Sequence, residues 1–153
     1  MSTLDASMDD VRAYLPLSAQ QFQILLALSD ADRHGYGIIL EIAERTGAER
    51  GAGAPAKRDR GAGAPGVKPM RLGTGTLYTA LAGLEDGGLV VESKKRPAAK
   101  DDDQRRRYYR LTPFGRAVLE AETSRLDALV KQARRKGVTP IGRAVLGTGS
   151  RTK

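Results

Sequence analysis

Apolar residues first recur with helical spacing after Ser18. Phe22 and Leu25 fall on one face of a helix. Ser18 and Gln21 have the spacing of a capping box, in which each side chain accepts a hydrogen bond from the other residue's backbone N–H group. The pattern therefore predicts a helix over 18–28 with one buried side, followed by a polar turn.

A second helix is predicted from about Tyr36. Ile38 and Ile42 lie on one face of this segment. Gly47 follows it and suits the left-handed backbone position at which many helices end. We therefore expect a short helix that stops at Gly47.

A third helix is predicted over 75–86, where Leu77, Leu81 and Leu84 recur at helical spacing. The opposite face carries small residues, namely Thr76, Thr79, Ala80 and Gly83. Such a face either packs closely on a neighbouring helix or allows a partner molecule to approach closely.

Two runs of strand composition follow, at 89–93 and 108–112, and the 14 residues between them are polar and rich in Arg and Lys. They predict a two-stranded hairpin with a basic tip. Three helices followed by such a ribbon form the order of a winged helix-turn-helix, in which the third helix enters the DNA major groove. The expected fold is therefore mainly α with a small two-stranded β-wing.

A long helix is predicted over 113–136, after the N-terminal signal Thr112-Pro113. Apolar residues recur on one side of it, and a lone helix behind a small domain has little of its own chain to cover them. We expect a homodimer through this helix, with the alternative that it folds back on its own chain. The predicted dimer residues are Val118, Leu119, Leu126, Leu129, Val130 and Ala133.

Low-complexity sequence interrupts this pattern at 48–70, where the hexapeptide RGAGAP occurs twice, at 50–55 and 60–65. With almost no large apolar side chains, this segment is predicted to be a flexible insert. The expected organisation is an N-terminal arm at 1–17, a DNA-binding domain at 18–112, the long helix, and a mobile basic tail at 137–153.

Charge is unevenly distributed within the formal total of +8. Positions 1–49 hold three basic and eight acidic residues, whereas 94–110 hold eight basic and three acidic residues, and 111–153 hold nine and three. Basic charge on the predicted wing and C-terminal third indicates a polyanionic partner, although a basic surface also serves solubility alone.

Enzymatic and metal chemistry find little support in the sequence. The chain has no Cys, and His34 is its only His, so we expect a loop or capping role for His34, no metal site, no cofactor and no enzymatic activity. No apolar run is long enough to span a membrane, and there is no leader-like segment at the start, so we expect a cytoplasmic protein without a membrane partner.

Several separated motifs, in one order over 18–136, resemble the PadR family of bacterial transcriptional regulators. These are His34-Gly35-Tyr36-Gly37-Ile38, Leu72-Gly73-Thr74-Gly75-Thr76-Leu77-Tyr78 and Arg106-Arg107-Tyr108-Tyr109-Arg110-Leu111-Thr112. Two departures stand out. The 48–70 insert separates helices that the family joins within a few residues, and position 74 is Thr where the family often has Pro.

The resemblance implies a dimeric winged-helix repressor of the subfamily with a single C-terminal helix, released from an inverted-repeat operator by a small hydrophobic or phenolic effector. DNA contacts are predicted from the helices at Tyr36, Arg71, Thr74, Thr76, Tyr78 and Thr79. Wing contacts are predicted at Lys94, Lys95, Arg96, Arg105, Arg106 and Arg107.

Three functions stay open on the sequence alone. The favoured one is a sequence-specific regulator that binds double-stranded DNA, and the alternatives are a nonspecific basic nucleic-acid-binding protein and a protein-interaction module. Each Tyr has the further alternative of a core role, and some wing cations are expected to be merely solvated.

Overall fold

A computed structural model describes residues 7–48, 68–93 and 107–141 of the chain. Within these ranges the elements are α1 (Met8–Arg12), α2 (Ala19–Ala27), β1 (Arg33–His34), α3 (Gly35–Thr46), α4 (Thr74–Asp86), β2 (Val90–Ser93), β3 (Tyr108–Leu111) and α5 (Pro113–Arg135). The winged helix-turn-helix prediction is confirmed: α2, α3 and α4 precede the β2–β3 pair, and the long α5 follows.

The predicted helix ends are confirmed by their capping bonds. The Ser18 hydroxyl accepts from the Gln21 N–H group at 3.0 Å, and the Gln21 side chain accepts from the Ser18 N–H group at 2.9 Å. Gly47 ends α3 at φ 83°, and the Thr112 hydroxyl accepts from the Gly115 N–H group at 2.9 Å at the start of α5. Local sequence alone therefore determines these boundaries.

The sheet has three antiparallel strands, in the order β1–β3–β2, one more than the predicted two. Arg33 pairs with Tyr109 and His34 with Tyr108, so β1 adds to the edge of the wing hairpin. The Ser93 hydroxyl donates to Asp32 at 2.6 Å, which ties the turn before β1 to the end of β2. Two residues are too few to show an alternating pattern in the sequence.

The core lies between the helices and the inner face of the sheet. Its largest fully buried side chains are Ile24, Leu25, Ile38, Ile42, Leu77, Leu81, Leu89, Val90 and Val118. The apolar spacings predicted to face inward on α2, α3 and α4 do so. No helix in the described ranges is long and apolar enough to cross a membrane.

The N-terminal segment, expected as an arm, contains a short helix that packs on the domain. Ser7 and Asp10 form a capping box around α1, and Val11 is buried against the core. The Tyr14 ring contacts the Phe114 ring edge-on, with centroids 5.6 Å apart. Residues 7–17 are therefore part of the folded body.

The apolar side of α5 divides into two parts, which corrects the predicted dimer seam. Val118 and Leu119 are buried in the core of their own chain, because the first half of α5 packs on α1, α2 and β3. These two side chains are therefore unavailable to a second copy. Leu126, Leu129 and Val130 lie further along and are exposed by 37–45%.

Both ends of the predicted insert meet the fold at one place. Thr46 is buried, and its hydroxyl accepts from the Met70 N–H group at 2.8 Å and donates to the Ile42 carbonyl at 2.8 Å. Residues 49–67 lie outside the described ranges, as do 142–153 in the predicted tail.

Candidate nucleic-acid interface

The outer face of α4 is exposed, small and uncharged. Its exposed residues in the first half are the small Thr74, Gly75, Thr76 and Thr79, together with Tyr78. A Cβ atom added at Gly75 or Gly83 would meet no atom within 4 Å, so open space lies above both. The charged residues of α4, Glu85 and Asp86, stand at its C-terminal end. A surface of this kind admits another molecule to within contact of the helix backbone.

Tyr78 joins α4 to the start of α3. Its side chain is 42% exposed, and a Cβ atom added at Gly35 would lie 2.2 Å from its hydroxyl oxygen and 2.7 Å from Cζ. The Tyr78 ring therefore packs directly on the α3 backbone. Tyr78 is thus exposed, as the predicted DNA contact requires, and also packed against α3, as the alternative packing role requires.

His34 caps α3 and contacts the wing. Its Nδ1 accepts from the Gly37 N–H group at 3.1 Å, and its ring meets the Tyr108 ring edge-on with centroids 5.2 Å apart. The expected capping role is confirmed. Tyr36 follows at the first turn of α3 and is 61% exposed. The wing base, the start of α3 and the outer face of α4 are thus in continuous contact.

Two predicted cations lie in described parts of the chain. Arg71 is exposed ahead of α4, and Arg107 is exposed at the start of β3. Burial raises the pKa of the neighbouring Tyr109 hydroxyl, with a further contribution from Glu85, while Arg107 acts in the opposite direction. The Tyr109 hydroxyl is therefore neutral at physiological pH. Lys94, Lys95, Arg96, Arg105 and Arg106 lie outside the described residues.

A groove of about 450 Å³ runs beside α4, between that helix and the start of α2. It is lined by Gln20, Gly75, Thr76, Thr79 and Ala80. Thr76 and Thr79 were predicted to contact DNA, and the structure brings them to one surface.

Sequence reasoning missed two residues of this region, the buried Gly35 beneath Tyr78 and the exposed Gln20. The role of Gly35 could not be predicted because it depends on Tyr78, 43 positions away, although Gly35 was part of the family resemblance. Gln20 escaped because it is neutral and lies on a helix that patterning assigned to the core.

A second exposed feature lies on the last turns of α5. Leu126, Leu129 and Val130 are exposed by 37%, 45% and 40%, and Ala133 is half-buried on the same side. Spacings of three and four residues place these side chains in one stripe. The stripe is an exposed apolar surface on the second half of α5.

Comparison with known proteins agrees with this geometry. Residues 67–121 match the model of the Transcriptional regulator PadR-like family. This span covers α4, the wing strands and the first half of α5. No curated protein matches the chain.

Solved structures give the fold. A PadR family transcription regulator from Clostridium difficile R20291 has a TM-score of 0.53 at 21% identity over 77% of this chain and 97% of its own. A PadR-like transcription factor from Bacteroides fragilis has a TM-score of 0.51 at 19% identity, over 83% and 98%. The complex structure of hsRosR-SG has a TM-score of 0.52 at 25% identity, over 79% and 80%. The chain has the winged-helix fold of these structures, and its residues 67–121 are similar to the PadR-like family of transcriptional regulators.

Proposed function

We propose that this protein is a sequence-specific transcriptional regulator that reads double-stranded operator DNA with the outer face of α4. The observation that carries the proposal is the combination of exposure, small size and lack of charge on that face, at the third helix of a winged domain. A recognition helix must lie close to base edges to read them, and its N-terminal residues make those contacts. Thr74, Gly75 and Thr76 occupy that end.

Chemistry on this face suits base reading more than charge neutralisation. Threonine offers a hydroxyl that donates and accepts hydrogen bonds, and a methyl group that contacts the thymine methyl. Affinity must then come from cations around the helix. Arg71, which precedes α4 in the sequence, and Arg107, which follows it, are both exposed. The basic wing stretch at 94–107 supplies more positive charge. Specificity and affinity would thus reside on different elements.

The proposed regulator acts as a homodimer through the stripe formed by Leu126, Leu129, Val130 and Ala133. Two copies related by a twofold axis would present two α4 helices, which suits an inverted-repeat operator. Repression in the cytoplasm, with release by a small hydrophobic or phenolic effector, completes the proposal by resemblance to the family. A regulator of this kind needs no enzymatic activity.

Nonspecific binding of nucleic acid is the second candidate, favoured by the basic charge of the chain. The two functions separate by preference for one duplex. A specific regulator binds its operator roughly a thousandfold or more tightly than random DNA, whereas a nonspecific binder shows almost no preference.

The test begins with sequencing the genomic DNA that copurifies with the protein and synthesising the enriched duplex. We expect Thr76→Ala to weaken binding to that duplex by about 1–3 kcal/mol and binding to random DNA much less. Thr123→Ala on α5 is the matched control and should change neither. Equal losses of Thr76→Ala on both duplexes would rule out α4 as the reading element.

Adding one methyl group gives an independent test. Gly75→Ala fills open space in the free protein, so we expect folding to be kept or improved by about 0.5–1 kcal/mol while operator binding falls. Gly83→Ala makes the same change two turns further along and should affect binding less. If Gly75→Ala bound the operator with unchanged affinity, DNA would not approach this face.

A further inference from the structure

Three glutamines lie on α2, and the structure uses two of them. Gln21 accepts from the Ser18 N–H group at 2.9 Å in the capping box. Gln23 accepts from Arg45 and so joins α2 to α3. Within the described ranges, the Gln20 side chain makes no hydrogen bond, and it is exposed. Its amide is therefore available to a partner.

The Gln20 side chain lines the groove beside α4. Thr76 and Thr79 form part of the opposite wall. The groove is thus continuous with the surface proposed to read DNA, but it lies at the flank of α4.

Because the groove lies at the flank of α4, it would face a particular part of the DNA. A helix in the major groove points its exposed side at base edges, while the sugar–phosphate backbones form the groove walls on its flanks. A volume of about 450 Å³ gives room for a sugar–phosphate unit. Among the residues that the structure describes, no acidic side chain lines this groove, so a phosphate meets no repulsion from those walls.

We propose that Gln20 donates a hydrogen bond from its side-chain amide to a phosphate oxygen of the operator strand bordering α4. This inference rests on the proposed function and adds a contact from α2, outside the recognition helix and the wing. A neutral donor fixes the position of α4 against the backbone without releasing counterions. Gln20 is therefore a positioning residue that holds α4 against the sugar–phosphate backbone of any duplex.

Gain of binding is the sharpest test, because misfolding cannot produce it. Gln20→Lys brings an ammonium group to the phosphate, so we expect binding of the selected operator duplex to tighten severalfold. The slope of log affinity against log salt should steepen by about 0.9. Gln132→Lys on α5 adds the same charge at an exposed position and should leave the slope almost unchanged.

Loss of the amide gives the complementary result. We expect Gln20→Ala to weaken binding to operator and random DNA alike, by about 10-fold, with an unchanged salt slope. Gln132→Ala is the matched control. In the same titrations, the preference of the wild-type protein for the operator over random DNA tests the proposed function separately.

Two results would overturn the inference while leaving the proposed function intact. One is a Gln20→Lys protein whose affinity and salt slope equal those of the wild type. The other is a Gln20→Ala loss confined to the operator, which would mean that Gln20 contacts a base edge.

Discussion

The contact between Gly35 and Tyr78 predicts a substitution whose effect on stability changes sign with its background. Gly35→Ala would place a Cβ atom 2.2 Å from the Tyr78 hydroxyl oxygen and 2.7 Å from Cζ. Real Cβ atoms essentially never approach other atoms so closely, so the Tyr78 ring must move. In Tyr78→Ala the obstructing atoms are gone, and the next atom, Leu77 Cδ2, lies 3.3 Å from the added Cβ atom.

Two opposing contributions set the size of the effect. Overpacking costs about 1–3 kcal/mol in a well-packed site, and here the cost lies at the low end because the 42% exposed Tyr78 ring can move outward. Replacing Gly by Ala in the middle of a helix gains about 0.5–1 kcal/mol, and Gly35 is the first residue of α3, so the gain there is smaller. Gly35→Ala should therefore destabilise the wild-type protein by about 1 kcal/mol, and should be neutral or slightly stabilising in the Tyr78→Ala protein.

The assay is urea unfolding followed by circular dichroism for the wild type, both single variants and the double variant. All four proteins are compared at one protomer concentration, because the proposed dimerisation would make apparent stability depend on concentration. Tyr78→Phe, which removes the hydroxyl and keeps Cζ, should give an intermediate coupling. If Gly35→Ala destabilised the wild type and the Tyr78→Ala protein equally, the packing of α4 on α3 described above would be wrong.

Three further predictions concern other parts of the chain. Leu126→Glu should give a folded monomer in analytical ultracentrifugation, because Leu126 is exposed in the protomer. Val118→Glu should unfold the protein, because Val118 is buried. A Leu126→Glu dimer of unchanged affinity would contradict dimerisation through the stripe. A hydrogen bond from Arg125 lowers the pKa of Glu122, so the pair stabilises the fold at pH values above the ordinary glutamate pKa of 4.5. This stabilisation is lost as the pH falls through the lowered pKa. Thermal unfolding of Glu122→Gln should lack that pH dependence, and a pH profile identical to that of the wild type would contradict the prediction. Deletion of 50–66 should leave thermal stability nearly unchanged and weaken DNA binding mainly through its salt-dependent part, and loss of folding would show that the segment is built into the domain.

Local patterns predicted most of the helices because their signals lie within a few residues. The Ser18 capping box, the Gly47 helix end and the spacing of Leu77 and Leu81 each act over one or two helical turns, and the structure confirms them. The helix α1 shows the limit of this approach. Ser7 and Asp10 carry its capping signal, but five residues give too short an apolar pattern to recognise.

Long-range packing explains what the sequence did not predict. Periodicity along α5 shows that one side is apolar, but not where the chain's own core stops covering it, so Val118 and Leu126 looked equivalent. Similarly, β1 exists because Arg33 and His34 pair with β3, and the roles of Gly35 and Gln20 depend on residues of α4. Each of these features joins positions more than 40 residues apart or depends on burial in the folded domain.

The central claim is that the outer face of α4 makes this protein a reader of one DNA sequence. The most direct measurement compares wild-type affinity for the duplex enriched from genomic DNA with that for a shuffled duplex of equal length and composition, at one salt concentration near the physiological value. We expect the enriched duplex to contain an inverted repeat and to bind roughly a thousandfold or more tightly. Equal affinity for the two duplexes would contradict the claim and leave a nonspecific binder of nucleic acid.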